Sequence, residues 1–96
     1  MMAPQATTAA EKEHVRQTIL DALLDLGGKI EVDTMKELRA YLDMEDVSMK
    51  LFKRSVWHLK TGDRDPEGIR RIVVNQPEKF ERFELRIRRR ITIRAL

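Results

Sequence analysis

The sequence predicts an α+β fold of three helices and a small antiparallel sheet. Before residue 61, apolar residues recur at helical spacing in three segments that are separated by capping or turn signals. Beyond residue 68, the spacing changes to an alternation of apolar and polar residues, which is typical of strands with one buried face. A chain of 96 residues fits one small domain. We expect a disordered tail over residues 1–7 and the domain over residues 8–96.

The first helix has a clear beginning and end in the sequence. Thr8 and Glu11 have the spacing of a capping box, in which a hydroxyl and a carboxylate satisfy open backbone donors. The apolar positions that follow form one stripe: Val15, Ile19, Ala22, Leu23 and Leu26. Gly27 and Gly28 predict the end of this helix, because glycine adopts the left-handed cap without strain.

A short strand and a second helix come next. The segment KIEV alternates in polarity and predicts a brief strand. Thr34 and Glu37 repeat the capping-box spacing, and the apolar residues behind them give the second helix a buried side: Met35, Leu38 and Leu42. The segment DMED interrupts this pattern and offers a new cap at Glu45 or Asp46.

The third helix, residues 47–60, separates an apolar side from a basic side. On a helical wheel of about 100° per residue, the core side carries Phe52, Val56 and Leu59. The other side carries His58 and the one tryptophan, Trp57, among four basic residues: Lys50, Lys53, Arg54 and Lys60. Such a tryptophan has three interpretations: a surface for nucleic acid, a side chain covered by another part of the chain, or a protein interface.

The remaining residues predict two strands joined by a turn. Residues 69–74 are rich in β-branched side chains, and the NQPEK segment behind them predicts a turn that would pair them with residues 80–86. From residue 82 to residue 94 apolar and polar positions alternate, with Arg89 as the one intruder on the apolar side, where it marks a bulge or a change of partner. KIEV is then the natural partner for residues 87–93. The outer face of this last strand carries a ladder of arginines: Arg82, Arg86, Arg88, Arg90 and Arg94.

Over residues 8–94 the chain resembles the winged helix-turn-helix family. The resemblance lies in the element order, the LGGKIEV break, the tight DMED turn between the second and third helices, and the terminal hairpin. It implies that the third helix enters the major groove of DNA, that the hairpin forms the wing, and that KIEV pairs with the last strand. It also implies that the arginine ladder faces away from the helices, which would give two separate basic surfaces.

The charge is divided unevenly along the chain. Residues 1–49 contain five lysines and arginines against ten acidic residues, whereas residues 50–96 contain fourteen against six. The second half therefore has a net charge of +8, which indicates a polyanionic partner. The candidate nucleic-acid-binding residues are Lys50, Lys53, Arg54, Trp57 and Lys60 of the third helix and Arg82, Arg86, Arg88, Arg90 and Arg94 of the last strand.

Three hypotheses about function follow. The first is a small transcriptional regulator of the cytoplasm or nucleoid that binds double-stranded DNA through the third helix and the arginine-rich strand. The second is a protein-interaction module, such as a phage-type inhibitor or an accessory factor that docks on a larger nucleic-acid machine, or a homodimer. The third is RNA binding through the arginine strand.

Catalysis and cofactor binding have little support in the sequence. The chain has no cysteine, and its two histidines, His14 and His58, lack the spacing to carboxylates that metal sites use. The acidic GDRDPEG segment predicts a polar turn. We therefore expect no enzyme, no cofactor and no metal. No apolar run approaches the ~20 residues that span a bilayer, so we also expect no membrane partner.

Overall fold

The computed structural model describes residues 8–75 and 91–96. Within these residues the elements are α1 (Ala9–Asp25), β1 (Lys29–Val32), α2 (Met35–Tyr41), α3 (Met49–Thr61), β2 (Ile72–Asn75) and β3 (Ile91–Ala95). The helices and the three-stranded antiparallel sheet confirm the predicted α+β fold. The order of the elements is compatible with a winged helix.

The hydroxyl caps of both predicted capping boxes form at the starts of α1 and α2. The Thr8 hydroxyl accepts a hydrogen bond from the Glu11 N–H at 3.1 Å, and the Thr34 hydroxyl accepts one from the Glu37 N–H at 3.0 Å. The Glu37 carboxylate also accepts from the Asp33 N–H at 3.0 Å. These bonds satisfy backbone donors that a helix leaves open at its first turn.

The glycine pair after α1 ends the helix as predicted and also joins it to the sheet. Gly28 has a φ of 81°, its N–H donates to the Leu23 carbonyl at 2.9 Å, and its carbonyl accepts from the Ala95 N–H at 2.7 Å. Leu26 was expected on the buried stripe, but it is 44% exposed because α1 ends at Asp25 and the chain turns away from the core.

The turn between α2 and α3 is closed by a buried methionine. Met44 is buried, and its N–H donates to the Arg39 carbonyl at 2.9 Å. The Arg39 guanidinium then donates to the Val47 carbonyl at 2.8 Å, while the Val47 N–H donates to the Met44 carbonyl at 3.0 Å. The backbone N–H groups of Met44 and Val47 and the carbonyl of Val47 are therefore all used in hydrogen bonds within the turn.

This turn shifts the start of α3. The expected start at Val47, with a cap at Glu45 or Asp46, is wrong: the N-cap is Ser48, whose hydroxyl accepts from the Leu51 N–H at 3.2 Å. The backbone of Val47 still takes part in the turn, so helical hydrogen bonding begins only after Ser48.

The last strand lies in the centre of the sheet, in the order β1-β3-β2. The register sets apolar residues opposite one another on the inner face: Ile30 with Ile93, Val32 with Ile91, Val74 with Ile93, and Ile72 with Ala95. Polar residues face each other on the outer side, including Lys29 with Arg94. The predicted pairing of KIEV with the last strand is confirmed.

The strand expected over residues 69–74 begins later than predicted. β2 begins at Ile72, because the N–H of Arg71 donates to the Leu59 carbonyl at 2.9 Å and so ties this stretch to the end of α3. Within the described residues its partner is Ile91–Ala95; residues 80–86, the expected partner, lie outside the described residues. A slip by one residue would turn the apolar face to solvent, so matching of inner faces sets the register.

The core lies between the inner face of the sheet and the three helices. Its most buried side chains come from every element: Ile19, Leu23, Val32, Leu38, Phe52, Ile72 and Ile93. Arg94 is exposed on the outer face of β3, which points away from this core. In the part of the chain that the structure describes, no helix is long and apolar enough to cross a membrane.

Candidate nucleic-acid interface

α3 presents a buried side and a basic side, as the helical wheel predicts. Phe52, Val56 and Leu59 are buried in the core. The opposite side is open to solvent and carries all the candidates from this helix: Lys50, Lys53, Arg54, Trp57 and Lys60. One face of the helix is thus fixed by packing, and the other is free to meet a partner.

Trp57 is exposed in the middle of this basic side. Its side chain is 49% exposed, and it lines one surface depression together with Lys50, Lys53 and Arg54. One side of the indole meets the imidazole of His58 edge to face, with ring centroids 5.2 Å apart and an angle of 67° between the planes. The indole therefore offers apolar area next to three cations.

His58 is the one residue of this helix that the wheel misplaces. It was expected on the basic side, but it is only 7% exposed, because α1 and the loop after α3 cover it. Its Nδ1 lies 3.3 Å from Oδ2 of Asp63 without hydrogen-bond geometry. Burial lowers the pKa of His58; the Asp63 carboxylate opposes this, and nearby arginines, Arg16 first, add to it. Burial therefore favours the neutral form of the imidazole over the protonated form.

The predicted polar turn after α3 is an ordered loop organised by Asp65. The Asp65 carboxylate accepts hydrogen bonds from the N–H groups of Glu67 and Ile69 at 3.0 and 3.1 Å. It also accepts from Nε and Nη2 of Arg71 at 2.8 and 3.2 Å. The hydrogen bonds from Arg71, ahead of those from the backbone, hold the pKa of Asp65 well below its ordinary value.

The acidic residues of this loop do not form a metal site. Residues 8–75 and 91–96 contain no group of three or more histidine, cysteine or acidic side chains that could hold a metal ion. In Asp65, both carboxylate oxygens are already engaged by Arg71 and the backbone. The Asp65 carboxylate instead holds the backbone of the loop and the side chain of Arg71 in place.

Three further basic residues lie beside the candidates from α3. Lys12 and Arg16 of α1 and Arg64 of the loop line a cavity with Arg54 and His58. Sequence reasoning missed Lys12 and Arg16 because they belong to the acidic first half of the chain. Their spacing of four residues places both on the same side of a helix, and this pattern could have indicated a basic patch on α1.

The arginine ladder is represented in the structure by Arg94 alone. Arg94 lies on the outer face of β3. Its partners on the neighbouring strands are Lys29 of β1 and Val73 of β2. The structure does not bring Arg94 together with the basic side of α3. The other ladder residues lie outside the described residues: Arg82, Arg86, Arg88 and Arg90, along with the intruder Arg89.

Comparison of the chain with protein families, with curated proteins and with solved structures found no match.

Proposed function

We propose that this protein binds double-stranded DNA through the basic side of α3 and acts as a small winged-helix transcriptional regulator in the cytoplasm or nucleoid. The observation that carries the proposal is the exposed indole of Trp57 between Lys53 and Arg54, on a helix whose opposite side is buried in the core.

The dimensions of α3 suit the major groove. The helix has 13 residues, which corresponds to a length of about 20 Å. The major groove of B-DNA is about 12 Å wide and admits one helix. Lysine and arginine on the exposed side can donate to phosphates or guanine edges, and the indole can pack on sugars or a thymine methyl.

The charge of this side also favours a polyanion. Among the described residues, the ion pairs are Lys29 with Glu31, His58 with Asp63, and Arg71 with Asp65. None of these pairs includes a cation of the exposed side of α3. A surface of this kind is attracted to DNA, because binding releases the counterions held by the phosphates.

The test is a duplex-binding titration that follows the fluorescence of Trp57, the one tryptophan of the chain. We expect quenching by duplex DNA and an affinity that falls steeply with salt. Lys53→Ala should weaken binding and reduce the slope of log K against log salt by about 0.9. The matched control is Lys36→Ala on α2, which should leave the slope unchanged. An affinity for duplex DNA that does not change with ionic strength would contradict the proposal.

A protein-interaction module is the second candidate, favoured by the exposed aromatic side chains. Trp57 is exposed at the centre of its charged surroundings, and Tyr41 is 58% exposed. An aromatic anchor in a charged rim is typical of binding hot spots. A stoichiometric protein partner that survives nuclease treatment and is lost in Trp57→Ala would favour this candidate. A concentration-dependent dimer lost in the same variant would indicate a homodimer, and tighter binding of RNA than duplex DNA would favour RNA.

A further inference from the structure

A cavity of about 170 Å³ lies between α1, α3 and the loop after α3. The residues that line it are Ala9, Lys12, Arg16, Arg54, His58 and Arg64. These described lining residues include four cationic side chains and no carboxylate. This volume is well above the ~10–15 Å³ that a single water needs, so the cavity can accommodate a tetrahedral oxyanion.

Four like charges around one cavity repel one another unless an anion lies between them. In the described part of the chain, no ion pair includes Lys12, Arg16 or Arg64. The neighbouring carboxylates are those of Glu13, Asp63 and Asp65; Asp63 lies 3.3 Å from His58 Nδ1, and Asp65 is bonded to Arg71. All three line an adjoining cavity of about 330 Å³ that Arg16 and Arg64 also line, and none of them lines the cavity with Lys12. A positive charge therefore remains uncompensated on the side of Lys12.

The backbone of Arg64 provides a second, independent observation. Arg64 has a φ of 68°, a left-handed conformation that favours glycine. The next residue, Asp65, fixes this turn through its bonds to Arg71 and Ile69. An arginine is thus held at the cavity in a conformation that another residue would adopt with less strain, and such positions occur often at binding sites.

The cavity is continuous with the basic side of α3. Arg54 lines both this cavity and the depression beside Trp57. A polyanion on the exposed side of α3 would therefore extend towards Arg16 and Arg64. Arginine is well suited to this contact, because its planar fork donates two hydrogen bonds to one phosphate.

We infer that the cavity between Arg16, Arg54 and Arg64 is an oxyanion site that takes a phosphate group of the DNA backbone. The site extends the interface of α3 onto α1 and the following loop, and it rests on the proposed function. Because a phosphate held there carries no base information, the contact contributes affinity and fixes the orientation of the protein on the duplex.

The first measurement uses inorganic phosphate as the probe. The imidazole signals of His58 are followed by NMR while sodium phosphate replaces sodium chloride at constant pH and ionic strength. We expect the signals of His58 to shift and to saturate, while those of His14, exposed on α1, serve as the internal reference. Arg16→Gln should abolish the saturable shift, and Arg70→Gln, which removes an exposed arginine that does not line the cavity, should retain it.

The second measurement uses duplex DNA with the same variants. Arg16→Gln and Arg64→Gly should each lower the slope of log K against log salt by about 0.9, equally for every duplex sequence. Arg64→Gly relaxes the left-handed residue, so its effect on binding does not depend on a loss of folding. Arg70→Gln should bind like the unmodified protein.

The outcomes separate the two proposals. If the unmodified protein binds duplex and the Arg16 and Arg64 variants match Arg70→Gln, the oxyanion site is overturned and the proposed function stands. If duplex does not bind at all, but phosphate still shifts His58 in an Arg16-dependent way, the proposed function fails and the backbone is ruled out as the source of the phosphate. If the Arg16 and Arg64 variants lower the slope of log K against log salt, and phosphate shifts His58 only when Arg16 is present, both proposals are supported.

Discussion

Asp65 and Arg71 form a two-point ion pair that closes the loop between α3 and β2. Arg71 Nε lies 2.8 Å from Asp65 Oδ1, and its Nη2 lies 3.2 Å from Asp65 Oδ2. The carbonyl of Arg71 accepts from the Leu96 N–H at 3.0 Å, so the pair also connects the loop to the end of β3. One carboxylate therefore holds together a loop that carries Arg64.

Asp65→Asn should destabilise this loop, because the amide cannot accept the charge-assisted bonds from both Arg71 nitrogens. The pKa of Asp65 is lowered in the folded state, so its stabilisation is complete above the ordinary value of 3.8 and is lost as the pH falls below it. Thermal melts from pH 5 to pH 2 should show a smaller loss of stability in Asp65→Asn than in the unmodified protein. Asp43→Asn, at an exposed turn, is the control that should keep the full loss.

His58 should make folding sensitive to mildly acidic pH. Its pKa is lowered below 6.5 by burial, so the unfolded state binds the proton more readily, and stability falls as the pH drops from 6.5 towards the folded pKa. His58→Leu should remove this fall in urea unfolding between pH 7.5 and pH 5, whereas His14→Gln should retain it. An unchanged pH profile in His58→Leu would assign the effect to another group.

The two sides of α3 should respond differently to loss of an aromatic ring. Phe52 is fully buried, so Phe52→Ala should cost about 3–5 kcal/mol of the free energy of unfolding. Trp57 is half exposed, and Trp57→Ala should cost less than about 1 kcal/mol while it weakens duplex binding. Urea unfolding followed by circular dichroism, paired with the binding titration, separates these effects. A large loss of stability in Trp57→Ala would mean that the indole serves the fold.

Gly62 should tolerate no side chain at the end of α3. Its φ is 82°, and an added Cβ would lie 2.7 Å from the Gly68 carbonyl oxygen. Gly62→Ala should therefore lower the free energy of unfolding by about 1–3 kcal/mol for the left-handed backbone, with a further cost for the clash. Gly27→Ala is the matched control, because Gly27 has a φ of 93° and no atom within 4 Å of the added Cβ. Equal losses in the two variants would show that the clash relaxes freely.

Local signals in the sequence account for much of the fold. The hydroxyl caps at Thr8 and Thr34 and the glycine stop after α1 are short-range patterns, and each forms where it was expected. The start of α3 was misplaced because the burial of Met44 is a tertiary effect that extends the turn. The start of β2 was misplaced because the hydrogen bond from the Arg71 N–H to the Leu59 carbonyl, a tertiary contact, ties residue 71 to the end of α3.

The candidate interface was predictable only in part. The helical wheel located Trp57 and its lysines, because one period describes a whole helix. It could not place His58 correctly, since the loop that covers this residue comes later in the chain. Lys12 and Arg16 were missed for a related reason: the charge of each half of a sequence does not reveal which of its cations meet in the fold.

The central position of β3 has a consequence for how the chain folds. Lys29 pairs with Arg94, so closing the β1–β3 ladder joins segments that are about 65 residues apart. Contacts of such long range slow folding, because their loop-closure entropy must be overcome before they add stability. During synthesis, β1 and the inner faces of the helices must remain without this strand until it leaves the ribosome. We therefore expect the sheet to assemble in one late, cooperative step, with β3 as the segment that completes it.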